Sequence, residues 1–222
     1  MWVEPILPST RKEARLAYDI ELKITKGNFK RSIFLQHKVS TFVSNRKWNN
    51  SEMYDCHNGP FFWFHVRNTQ GSKQHNRLVA LAHRWNTAFY CAPLFHREWE
   101  LQSLFAKKQV VDNSRIFDPV EMGYIGPLEQ HQVSYDPLGR NGFFHSEARK
   151  LEKIGKLPEL LKITKMEIDE EYFRRLFDSV VSISTEYGPK RVTVPKPLQE
   201  FGYALRASYL LKRHFGVSWI LV

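Results

Sequence analysis

Cysteine is scarce: Cys56 and Cys91 are the only two among 222 residues. Two thiols make neither a disulfide framework nor a cysteine-rich zinc site, so reduced thiols in a cytosolic (cytoplasmic) setting are the expectation. Long hydrophobic runs are missing as well. Nowhere do ~18 apolar residues follow one another, which excludes a transmembrane helix. The stretch MWVEPILPSTRKEAR lacks the basic-then-apolar order of a secretory signal. GxxxxGK[ST], GxGxxG and GxSxG are absent, leaving phosphate-cradling loops and nucleophile-elbow hydrolases without support. Internal repeats and low-complexity tracts are also lacking.

Acidic residues are in deficit. Asp and Glu number 23 against 33 Lys and Arg, a formal charge of +10. A surplus of that size favours polyanions, because each neutralised phosphate releases counterions, and nucleic acid is the expected partner. The cations are dispersed, in Arg11-Lys12, Lys30-Arg31, Arg46-Lys47, Lys107-Lys108, Arg149-Lys150 and Arg174-Arg175, so folding must assemble any footprint. Apolar residues make up 42% and aromatics 14%, as in a folded protein. The nine histidines, among them His57, His65 and His96 near Cys56 and Cys91, follow no structural zinc spacing.

The hydropathy pattern predicts an α/β protein. STRKEARLAY opens a short helix, with Ser9 or Thr10 as N-cap and Glu13 a turn inside. Tyr18 to Thr25 alternates with period two, the mark of a half-buried strand. Gly27-Asn28 signals a turn, and SIFLQHKVS (32–40) is the returning strand of a hairpin. A polar loop spans 44–60, FFWFHV (61–66) is a central strand, HNRLVALAHRW is a helix, and TAFYCAPLF is a strand closed by Pro93. A further helix is expected over 97–111 and loop-rich chain over 112–146. GRNGFFHSEARKLEK (139–153) reads as a turn and a helix capped at Ser146, with cations facing a phosphate backbone. Trp48 and Trp85 are expected to be packing residues. Helical spacing returns at Ile168–Val181 and at Phe201–Phe215, before a short strand at 217–222. A boundary near 155–165 divides a domain over 1–158 from a mainly helical subdomain over 159–222.

On the hairpin, Asp19 lies on the polar face of the first strand, while Gln36 and Lys38 share a face of the second. The distances from Asp19 and from Lys38 to Gly27 are similar, so the two ends return side by side. Glu13 on the preceding helix overhangs the same place. Two carboxylates, an amide and an ammonium then converge. A rival register uses Glu21-Leu22-Lys23 as an ExK, with Glu4 or Glu13 as the earlier acid. Alternatively, the same polar residues form only the solvated face of a hairpin.

Glu13, Tyr18-Asp19 and Gln36-His37-Lys38, with the order helix, three strands, helix, strand over residues 9–95, resemble the PD-(D/E)XK nuclease superfamily in its QxK variant. The resemblance implies a restriction-endonuclease-like fold: a mixed central sheet flanked by helices, here with a helical C-terminal extension. It implies metal-dependent endonuclease activity on phosphodiesters, most often of DNA, and suits a prokaryotic restriction or antiviral defence role. Asp19, Gln36 and Glu13 would hold Mg²⁺ or Mn²⁺, and Asp19, Gln36, Lys38 and Glu13 would form the catalytic set. Lys23, Arg31, Arg149 and Lys150 are the candidate nucleic-acid contacts. A homodimer, or a protein partner in a larger complex, is a further expectation. The contrasting expectation is a non-catalytic nucleic-acid-binding or assembly subunit with the same fold.

Overall fold

Six residues from Ser32 to His37 form β1, buried as far as Gln36. An almost unbroken apolar run belongs to a strand covered on both faces. A computed structural model places it so, and describes residues 32–66, 73–126, 131–147, 149–156, 159, 168–187 and 192–221. The segments carrying Glu4, Glu13, Asp19, Glu21, Lys23 and Arg31 lie outside the described residues, as does the first strand of the expected hairpin.

The described chain is mixed α/β with two five-stranded sheets. After β1 come β2 (Thr41–Val43), α1 (Ser51–His57), β3 (Phe61–Val66), α2 (Gln74–Trp85) and β4 (Ala88–Pro93). Next are α3 (Glu98–Ala106), β5 (Ser114–Phe117), α4 (Pro119–Met122), β6 (His131–Tyr135), β7 (Gly142–Phe144), β8 (Arg149–Leu151) and β9 (Ile154–Gly155). The last elements are α5 (Glu170–Glu186), α6 (Lys196–Gln199), α7 (Tyr203–Leu210) and β10 (Ser218–Leu221).

The first sheet runs β10-β1-β4-β5-β9. β1 and β4 are parallel, with Gln36 beside Tyr90, and β10 closes antiparallel on the other flank of β1. β1 is therefore an interior strand. The second sheet, β2-β3-β6-β7-β8, is antiparallel throughout. Its inner face (Phe62, Phe64, Val133, Tyr135, Phe144) packs on Tyr90 and Phe117 of the first. The same core takes Leu78 and Leu81 of α2, Tyr172, Leu176, Val180 and Ile183 of α5, and Leu210 at the end of α7. A smaller cluster, Ile33, Leu35, Cys91 and Ile116, occupies the opposite face of the first sheet.

Several expectations are corrected. FFWFHV is a strand, but it lies inside the second sheet and not beside β1. Its exposed His65 and partly exposed Trp63 show one face turned outward. The predicted loop at 44–60 contains a 3-10 turn (Trp48–Asn50) and α1, which buries no residue and so carries no apolar stripe to read. In place of a helix from Ser146 there is one 3-10 turn and then β8, because pairing with β7 overrides the local cap signal. Helix α3 stops at Ala106 and leaves Trp99 and Phe105 exposed. Trp48 does not pack: 95% of it is exposed on the 3-10 turn that carries it. Trp85 does pack, edge-on to Phe34 and Tyr172. The described residues from 168 onward form α5, α6 and α7 and also supply β10 to the first sheet.

Candidate functional site

Gln36 and Lys38 project from the same side of β1, as the two-residue period requires. Gln36 is 2% exposed, and its Nε2 donates to the Phe215 carbonyl at 2.7 Å. A carbonyl can only accept, so this bond fixes which end of the amide is nitrogen. Oε1 is then left buried with no hydrogen-bond partner. An uncompensated buried acceptor costs about 1–3 kcal/mol, so this oxygen calls for an explanation. Local geometry on the C-terminal side keeps the amide in place. Gly216, at φ +63°, turns the chain after Phe215, and a Cβ there would collide with the Gln74 amide nitrogen and lie 3.4 Å from that of Gln36.

Lys38 continues the ladder, its backbone N–H donating to Cys91 O at 2.8 Å. Its ammonium lies 4.8 Å from the centroid of the Tyr90 ring and 6.0 Å from that of Phe64. Both rings are buried and Lys38 is half-buried, so the cation rests against π faces. Burial also pushes the Tyr90 hydroxyl well above its ordinary pKa, keeping it protonated.

Tyr90 is oriented in turn by His75, which is fully buried near the start of α2. His75 Nε2 is 2.7 Å from Gly123 O and Nδ1 is 2.7 Å from the Tyr90 hydroxyl. The carbonyl accepts, so Nε2 carries the hydrogen and the tyrosine donates to Nδ1. Burial above all, and then the charges of Lys38 and His131, push this imidazole down to about 4, against the opposing pull of the Gly123 bond. His75 is neutral at physiological pH. Neither His75 nor Tyr90 stands out in the sequence, because Tyr90 reaches Gln36 only through a parallel pairing that local pattern does not reveal.

A second polar cluster sits on the outer side of the second sheet. Buried Ser134 bonds His57 Nε2 at 2.7 Å and His145 Nε2 at 2.6 Å. His57 lies flat on Phe61 and edge-on to Phe143, and burial, followed by the neighbouring His145, pushes it down to about 4. Among the described residues no three of His, Cys, Asp and Glu gather as a metal-binding group. The carboxylates named for the site lie outside those residues.

Arg149 and Lys150 are both exposed but differ in setting. Arg149 Nη1 donates to Glu121 O at 2.7 Å, which ties β8 to α4. Lys150 pairs in register with Phe143 and shares its outward face. Among the described residues no helix is long and apolar enough to cross a membrane. No protein-family model, curated protein or solved structure matches the chain.

Proposed function

We propose that the protein is a metal-dependent endonuclease of the PD-(D/E)XK class, in its QxK form, acting on nucleic acid and most readily on DNA. The observation that carries this reading is the Gln36 amide. It is tethered through nitrogen, with a buried and unpartnered oxygen, two residues before a lysine on the same face of an interior strand. A free carbonyl oxygen is a donor that hard divalent cations accept. Gln36 would hold Mg²⁺ or Mn²⁺ together with Asp19 and Glu13. The cation would activate water and polarise the phosphoryl oxygen.

Lys38, held over Tyr90, offsets charge building on the phosphorane, an effect strongest where water is excluded. Tyr90 and the neutral His75 act behind it and fix its position. Lys23, Arg31, Arg149 and Lys150 would contribute backbone contacts. A cytoplasmic restriction or antiviral defence role, and a homodimer or larger complex, belong to the same proposal.

Plasmid DNA incubated with Mg²⁺ or Mn²⁺ tests the reading. Wild type is expected to cleave, Lys38→Ala to lose about 10²–10³-fold in rate, and Asp19→Ala at least as much, while all three still bind. Binding without cleavage under either metal would overturn the catalytic reading. The second reading is a non-catalytic nucleic-acid-binding or assembly subunit. The bond from Gln36 to Phe215 favours it, because that bond alone suffices to make the glutamine a tether between β1 and the C-terminal segment.

A further inference from the structure

The outward face of the second sheet carries a groove that the endonuclease reading does not use. Two hollows of about 460 and 310 Å³ adjoin there and share Asn49, Asn50, Met53 and Gln132 in their walls. Trp63 of β3 lines the larger, and Trp48 lines the smaller. An indole 95% exposed is unremarkable alone, but this one stands on the rim of a groove walled by side-chain amides.

The amides divide into two kinds. Asn50 is engaged at both ends: its Oδ1 accepts from Lys47 N at 2.6 Å and its Nδ2 donates to Asn45 O at 3.2 Å. Those bonds brace the turn that displays Trp48 and Asn49. Arg46 braces it further through a two-pronged contact with Asp55, at 2.8 and 2.9 Å. The side-chain amides of Asn49 and Gln132 make no hydrogen bond with the described residues. Each therefore presents a donor and an acceptor to the groove, the pairing that matches the edge of a nucleobase. An indole provides the complementary stacking surface for an unstacked base. Lys47 lines the larger hollow, and Lys150 stands on the same outward face across β7.

We infer that this groove receives the unpaired bases of a single-stranded nucleic-acid segment, with Trp48 as stacking platform and Asn49 and Gln132 contacting base edges. The inference rests on the nucleic-acid reading above and narrows it to a strand with bases available outside a duplex. A sugar ring would also fit beside an indole and amides, but the excess of ten positive charges favours a polyanion.

The test is fluorescence anisotropy in EDTA. Full-length wild type, Trp48→Ala and Gln132→Ala are titrated against labelled single strands of about 12 nucleotides, DNA and RNA, against the matching duplex, and with neutral oligosaccharides as competitors. Wild type is expected to bind the single strand with quenching of indole emission. Trp48→Ala is expected to bind it about ten-fold or more weakly, and Gln132→Ala to change the ranking of homopolymers. Because Trp48 is 95% exposed, its removal is expected to leave the fold intact. Equal single-strand affinity in wild type and both variants, or displacement by an oligosaccharide, would overturn the inference. Duplex binding without single-strand binding overturns it alone, whereas failure to bind any nucleic acid overturns the endonuclease reading as well.

Discussion

His75 shows how much one buried imidazole contributes. Its pKa of about 4 lies below the ordinary 6.5, so the unfolded chain takes up the proton first. The stabilisation is complete above about pH 6.5 and is lost as pH falls towards 4, on the order of 3 kcal/mol in all. His57, also held near 4, acts with the same sign. Urea unfolding at pH 7 and pH 5 should show a marked fall in midpoint for wild type and a shallower one for His75→Gln. Equal falls would remove His75 as the cause. At this scale the sequence is informative about Gln36 and Lys38, whose alternation on an apolar strand is legible. It is silent about His75 and Tyr90, whose roles depend on which strand lies beside β1.

Among elements, those with a strong period were readable: β1, α2, β4 and α5 all lie where hydropathy predicts them. The failures have a common physical cause. β3 was legible as a strand, but no one-dimensional pattern says that it pairs with β2 and β6 and not with β1. α1 has no buried face and so no stripe, and β8 exists because β7 accepts it. Trp48 departs from expectation for a related reason, since an indole is usually buried and only the geometry of its turn exposes it. The turn into β10 carries a prediction of its own. Gly216→Ala combines a left-handed backbone, at φ +63°, with collision against Gln74, and should destabilise by about 2 kcal/mol or more. Thermal unfolding should show a Tm several degrees lower, and an unchanged Tm would mean that the Gln74 amide gives way freely.

For the whole molecule, charge is the dominant property. An excess of ten cations predicts association with duplex or single strand that weakens more than ten-fold between about 50 and about 200 mM salt. A binding isotherm insensitive to salt would point to a neutral ligand instead. The two sheets divide the proposed labour, with the first carrying Gln36 and Lys38 and the second carrying the groove around Trp48.

The long span of the Gln36 tether also has a consequence for synthesis. Gln36 and Phe215 are 179 positions apart, and Ser32 and Trp219, which share another bond, are 187 apart. Contacts of such separation form late and slow folding. A ribosome releases Lys38 long before the carbonyl that orients its neighbouring amide, so nascent chains and early proteolytic fragments carry the lysine without the geometry. On the endonuclease reading proposed above, cleavage would then begin only once the C-terminal segment has joined β1.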